Sequence, residues 1–392
     1  LNSILSWRLG LRALILLALL LFVVFWWAPK GKAELRVSSE HYMIELEILA
    51  DGLQHPWSMV FLSDDEMLVT ERTGQLRRIL KGRLLEEPVA GVPEVAVVGQ
   101  GGLLEVLAHP DFAENAWLYL SFAEETQEGL TTSVVRGRYA SGVLSDLEPI
   151  FSARPASAGG RHFAGRMVFD HQGYLYIAIG DRGEMQRAQI GQDHAGKVVR
   201  LFEDGRIPPD NPFLGNAEFD DAIFTWGHRN PQGMLVHPET GEVWLSEHGP
   251  RGGDEINRLL AGANYGWPKV THGIDYTGLP ISQFTQLPGM QHPEWHWTPS
   301  IAPSGLIFYD QAEFPLWQGQ FLSGALRERL ISRLSVKASA DEEGSLQEEE
   351  RLLQGFAQRI RDLRLGRDGH IWLLTDENPG QVVRLRRVEA LE

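Results

Sequence analysis

A six-fold internal repeat constrains this chain more than any other feature. Apolar or small residues followed by Arg recur around Arg78 (QLRRIL), Arg136 (SVVRGR), Arg200 (KVVRLF), Arg258 (EINRLL), Arg333 (LISRLS) and Arg384 (QVVRLR). The spacings are 58, 64, 58, 75 and 51 residues. Upstream of each lies a β-rich run: EMLVTE, WLYLSF, YLYIAIG, EVWLSE, QFLSGA and HIWLLT. Upstream again lies a third: WSMVFL, GLLEVLA, GRMVFD, GMLVHP, SGLIFY and IRDLRL. Three strands joined by turn residues, such as those at 170–173 and 367–369, form a meander that cannot bury its faces alone. Six such units predict an all-β fold, a six-bladed β-propeller whose radial closure protects the sheet edges. The alternating strand at residues 43–49 is expected to supply the outer strand of the last blade. The acidic stretch 341–350 reads as a solvated loop in blade five. The repeated Arg reads as a structural contact at a blade edge or between blades.

The length of 392 residues alone suggests two or three domains at ~150 residues each. The repeat instead assigns residues 34–392 to one ring. Residues 1–33 are a separate object. An apolar run at 13–28 follows Arg8 and Arg12 and precedes Lys30 and Lys32, the pattern of a signal peptide or a membrane anchor. The run nearly reaches the ~20 residues needed to span, and Trp26 and Trp27 suit an interfacial anchor. Either way the ring is expected in the periplasm, free or tethered to the inner membrane, as a monomer or homodimer. The net charge of −16 argues against nucleic acid, which requires a basic footprint. The absence of cysteine removes disulfides, thiolate zinc sites and Cys nucleophiles.

Strand alternation puts the start of each first strand and each second-to-third connection at one end of the ring. The unusual polar residues fall there. Gln100, His162, Arg166, Arg229, Asn230, Arg359 and Arg361 precede or open first strands. Asp181, Gln186, Gly249, Pro250 and Arg327 lie in second-to-third connections. Several guanidinium groups at one mouth call for a polycarboxylate or phosphate ligand bound through bidentate contacts. His162, in GGRHFAGR between arginines, is expected to stay neutral and act as a base near pH 7. The carbonyls of Gly249 and Pro250, with Asp254 and Glu255, suit a hard cation such as calcium. His228 and His248 lack zinc-ligand spacing. The glycine-rich loops lack the strand-loop-helix setting of a nucleotide fold.

The segments GQGGLLEVLAHPDF, GGRHFAGRMVF, YLYIAIGDRGEMQ, WGHRNPQGM, SEHGPRGGDEIN, GANYGWP and RIRDLRLGRDGHIWLLTD carry a resemblance. From about Leu53 to Arg386 the chain resembles the pyrroloquinoline quinone (PQQ)-dependent soluble aldose sugar dehydrogenases of the glucose/sorbosone dehydrogenase group. That resemblance implies oxidation of an aldose at C1 to the lactone, with hydride passing to the quinone and onward to an external quinone or redox protein. It makes His162 the general base, Asp181 its orienting partner and Arg229 the stabiliser of charge on the quinone oxygen. Gln100, Gln186, Asn230, Tyr276, Arg327, Arg359 and Arg361 would hold PQQ. Gly249 and Pro250 would ligate a calcium ion beside it, and Glu255 with the Tyr265 backbone a second, structural one. The chain departs from the soluble glucose enzymes at Arg327, where they use Lys. Two other readings are a calcium-dependent lactonase and a propeller that binds without catalysing. The first requires acidic and Asn side chains on the axis; the second requires loss of His162 or of the arginines.

Overall fold

Six antiparallel sheets follow one another around a closed ring of innermost strands. The computed structural model describes residues 35–341 and 344–391. The predicted signal or anchor segment at 1–33 lies outside them. Blade one comprises Pro56–Phe61, Glu66–Glu71, Leu76–Leu80 and Arg83–Leu84. Blade two comprises Leu103–Ala108, Trp117–Thr126, Gly129–Ala140 and Val143–Ser152. Blade three runs through Ala164–Phe169, Leu175–Ile179, Lys197–Leu201 and Ile223–Trp226. Blade four has Pro231–Val236, Val243–Glu247, Asp254–Arg258 and Trp295–Trp297. Blade five has Pro303–Tyr309, Gln320–Ala325, Ile331–Asp341 and Gly344–Leu352. Blade six joins Ile360–Leu365, Ile371–Thr375 and Gly380–Ala390 to Tyr42–Leu53 from the start of the chain. Ile44 pairs with Arg387 and Leu46 with Leu385, so the early strand closes the ring as expected.

Two expectations need correction. Blades one to five have four strands, because a variable outer strand joins the three that repeat, and blade six has five, with Leu35–Ser38 outside Tyr42–Leu53. From Gly344 onward the acidic stretch is not a loop. Gly344–Leu352 pairs with Ile331–Asp341 as the outer strand of blade five. Its apolar positions, Leu346 and Leu352, face the core, and its glutamates are paired. Glu350 bonds Arg333 at 3.1 Å, and Glu348 accepts from the Trp297 indole at 3.1 Å. Partnered charges on a polar face are compatible with a strand.

The repeated arginines are structural. Each lies on a third strand and, within its blade, reaches an acid: Glu66, Glu148, Asp210, Glu242, Glu350 or Glu47. The hydrophobic core is likewise distributed, one wedge per blade junction. Between blades five and six, for example, Tyr42, Tyr309, Phe314 and Trp317 pack with Ile360 and Leu373. Second strands such as Leu175–Ile179 are buried along their whole length, which explains their unbroken apolar runs.

All six innermost strands break register near their starts, at Pro56/Ser58, Leu103/Val106, Ala164/Met167, Pro231/Gly233, Pro303/Leu306 and Ile360/Asp362. A bulge re-aims the side chain it carries. Here Glu105 and Arg166 form a buried network with Asp362, just past its own strand's break. Arg166 Nη1 lies 2.9 Å from both Glu105 and Asp362. Its Nε donates to Gln232 O at 2.6 Å and its Nη2 to Arg361 O at 3.2 Å, while its guanidinium lies 4.2 Å from the Trp57 ring. Arg364 bonds the same two acids, and Ser58 Oγ donates to Glu105 at 2.6 Å. Blade five joins through Ser304, whose hydroxyl donates to Ile360 O at 2.7 Å. Removing one member of a buried ionic set leaves uncompensated charge. Arg166→Ala should therefore cost about 3 kcal/mol in chemical denaturation, the low end of such losses because Arg364 still partners both acids.

Candidate active site

Two clefts meet at the mouth and share Gln100. One, of about 190 Å³, sits over the axis and is lined by Trp57, Arg72, Asn230, His248, Arg359 and Arg361, among others. The other, of about 270 Å³, lies to its side and contains His162, Asp181, Arg229, Pro250, Trp267 and Tyr276.

His162 precedes the innermost strand of blade three with φ 49°, an uncommon conformation for a residue other than glycine. Two contacts hold it. Its backbone N–H donates to Gln100 Oε1 at 2.7 Å. Its carbonyl packs so tightly on Gly180 that a Cβ there would stand 2.2 Å from the oxygen. The imidazole Nδ1 lies 2.6 Å from Asp181 Oδ1. That oxygen also accepts the Gly183 N–H at 2.7 Å, while Oδ2 accepts the Trp267 indole N–H at 2.8 Å. A carboxylate acceptor places the proton on Nδ1 and makes Nε2 the basic atom.

Burial is the largest influence on His162 and lowers its pKa below the ordinary histidine value. The hydrogen bond and charge of Asp181 oppose this, and Arg229 and Arg182 reinforce it. The arginines thus act in the expected direction, but burial does more. Burial would raise Asp181, yet its hydrogen bond and charge contact with His162, then Arg229 and the Gly183 N–H, hold it below the usual carboxylate range. The dyad therefore rests as carboxylate and neutral imidazole near pH 7. Arg229 forms part of the wall, its Nη1 donating to His248 O at 3.0 Å and Gly249 O at 2.9 Å.

The axial cleft carries a cationic surplus. Arg359 and Arg361 approach the same Asp376 oxygen at 3.1 and 2.8 Å, and Arg72 adds a third guanidinium. Arg361 Nε is buried without a hydrogen-bond partner among the described residues. Asn230, Gln232 and Gln100 supply neutral polar groups. This donor set fits a planar polycarboxylate.

Not every expected residue arrives. Gln186 is exposed and lines a neighbouring hollow with Met185, Lys269 and Phe284. The Arg327 side chain is 59% exposed and lies 3.7 Å from Glu328, with Nη1 3.3 Å from Ser300 O, outside both clefts. Arg166 points down the axis because its strand bulges there. Asp254 is used structurally: it accepts the Gly249 N–H through one oxygen, and Ser300, Ile301 and Ala302 through the other.

Glu255 faces Glu247 across two strands. The pair borders a cavity of about 10 Å³ with Gly227, Tyr265 and Trp267. Burial, then the Glu247 charge, pushes Glu255 up to about 8. Asn257 donates to both carboxylates, yet its buried Oδ1 has no partner among the described residues. Two buried acids and an orphaned oxygen suit a hard cation. Among the described residues no three His, Asp or Glu side chains are placed to hold a metal ion between them, so such an ion would also need backbone oxygens.

Sequence reasoning missed Arg72, Trp57 and Trp267. Arg72 lies in a second-to-third connection and Trp57 opens a first strand, so the rule that found the others covers both. Trp267 arrives differently, on a 36-residue excursion between the third and fourth strands of blade four.

A buried acid–base dyad beside a cationic axial cleft defines a propeller enzyme. The chain belongs to the glucose/sorbosone dehydrogenase family, whose sequence model matches residues 53–384, and is an oxidoreductase of the sugar dehydrogenase class. It is 41% identical over 348 residues to aldose sugar dehydrogenase YliI of Escherichia coli (strain K12), covering 87% of this chain and 92% of that one. The apo-form crystal structure of the soluble aldose sugar dehydrogenase from Escherichia coli superposes with a TM-score of 0.84 at 40% identity, covering 88% of this chain and 99% of the other. The PQQ-bound aldose sugar dehydrogenase of Streptomyces coelicolor gives 0.70 at 26% identity, covering 88% and 98%.

In the cofactor-free protein, NMR should find the His162 titration midpoint below the ordinary histidine value. Asp181→Asn should lower it further, by about one pH unit, because the imidazolium loses a charged acceptor.

Proposed function

We propose that this protein oxidises aldoses at the anomeric carbon to lactones in the periplasm, using PQQ and calcium and passing electrons to an external quinone or redox protein. The observation that carries this reading is the junction of the two clefts at Gln100, which sets a neutral imidazole beside an anion-binding cavity. Gln100, Asn230, Arg359 and Arg361 would hold the quinone, and Arg72, which lines the same cleft, would join them. When bound, PQQ supplies a two-electron acceptor for hydride. His162 Nε2 takes the proton of the anomeric hydroxyl, and Asp181 stabilises the resulting imidazolium without itself being protonated. Arg229 supplies fixed positive charge on the cleft wall, and its ties to the His248 and Gly249 carbonyls hold it in place. Tyr276, 67% exposed at the rim, would meet substrate or cofactor. Gly249 and Pro250 carbonyls would ligate calcium beside the quinone; Glu255 and the Tyr265 backbone would hold a structural ion.

The lactonase reading fares worse. It needs free acidic side chains on the axis, whereas Glu105 and Asp362 are both paired with arginines. A purely binding propeller would have no use for an oriented base.

Purified protein given PQQ and calcium should reduce an artificial dye in the presence of aldoses. His162→Ala should retain cofactor binding and lose about 10²–10⁴-fold in kcat. Failure to bind micromolar PQQ would sink the reading. A second test concerns Glu255, which unfolded ionises near 4.5 and folded near 8. Between those values the folded state holds the extra proton, so metal-free stability falls as pH rises. Calcium should therefore raise Tm most above about pH 8, and Glu255→Gln should flatten the metal-free profile.

A further inference from the structure

Trp267 has no part in the chemistry above, yet it touches two charged neighbours of His162, Asp181 and Arg229. We propose that Trp267 is a positioning residue for the dyad, fixing the Asp181 carboxylate through its indole N–H. The inference rests on His162 being the base.

Asp181 is 1% exposed, so both oxygens must find donors inside the protein. Oδ1 is taken by His162 and Gly183. Among the described residues, the donor to Oδ2 is the Trp267 indole, at 2.8 Å. Three donors in fixed directions set the plane of the carboxylate, and that plane sets the direction in which His162 is held. Indole carries a donor but no charge and no acceptor. It can therefore anchor Asp181 without neutralising it, leaving the carboxylate able to keep the proton on Nδ1.

Trp267 is itself anchored. Its backbone N–H donates to Gly227 O at 2.9 Å, and its carbonyl accepts from Gln189 Nε2 at 2.8 Å. Its ring lies 5.4 Å from the Arg229 guanidinium, within cation–π range. One buried side chain from the blade-four excursion thus sets both the dyad of blade three and the cation beside it. A purely structural tryptophan would show no such selectivity for the catalytic groups.

The test removes the N–H and keeps the bulk, as Trp267→Phe and as the isosteric benzothienylalanine, whose sulfur replaces the N–H. Charged and titratable groups facing the dyad are Arg161, Arg182, Arg229, His248, Asp275 and Tyr276, and all remain in both variants. With one donor fewer, Asp181 becomes the stronger acceptor and favours the imidazolium. The His162 midpoint, read by NMR on cofactor-free protein, should rise by about half to one pH unit. The acid limb of kcat/KM should move upward with it, kcat should fall about ten-fold, and sugar KM should stay within about two-fold. In an Asp181→Asn background the substitution should cost nothing further.

An unchanged His162 midpoint in the folded benzothienylalanine protein overturns the proposal, as does a kcat loss that simply adds to that of Asp181→Asn. The NMR arm needs neither PQQ nor sugar. A protein that shows the midpoint shift but no sugar oxidation would retain the positioning role and lose the function proposed above.

Discussion

Arg166, clamped between Glu105 and Asp362 at the axis, is the interaction on which the ring depends. Its contacts run from blade three to blades two, four and six, and Glu105 extends them to Ser58 in blade one. Charges buried this deeply are costly unless all partners are present, so they tie the registers of separate blades together. The wedge cores between blades supply most of the burial, but each knows only its two neighbours. The axial network instead ties blades one, two, three, four and six together at once.

The hub also decides the electrostatics of the mouth. Two cations, Arg166 and Arg364, meet two anions, Glu105 and Asp362, so the network leaves no net charge behind it. The surplus of Arg72, Arg359 and Arg361 over Asp376 therefore acts on whatever enters. The net charge of −16 does not cancel it, because exposed charges are screened beyond ~8–10 Å at ordinary salt. A strongly acidic protein can thus present a basic cavity. Composition alone concealed that; the placement of arginines within the repeat disclosed it.

What the sequence disclosed follows the same division. The ring, its closure by the early strand and the mouth position of His162, Asp181 and Arg229 were legible, because all depend on local alternation and repeat spacing. The outer strands of blades one to five were not, since their lengths vary from Arg83–Leu84 to Val143–Ser152 and their partners lie on polar faces. Arg166 and Arg327 carry the right chemistry at the right end. A bulge sends one inward, and a carbonyl contact with Ser300 leaves the other exposed. Neither outcome is encoded in spacing. Trp267 lies in the quoted GANYGWP segment, yet strand alternation gave it no place at the mouth for a topological reason. A third-to-fourth connection should lie at the far end of the ring, and only its unusual length lets it climb to the mouth.

That climb bears on how such a site is built. The dyad belongs to blade three, yet its backbone is held by Gln100 from before blade two, its carboxylate by Trp267, and its neighbouring cation by blade four. His162 in a left-handed conformation is strained, and strain persists only where the surroundings over-determine it. Here the surroundings belong to different blades. The base therefore acquires its geometry only when the ring has closed with its neighbours in register. Closure of the ring is thus a precondition for the reactive arrangement as well as for burying the sheet edges.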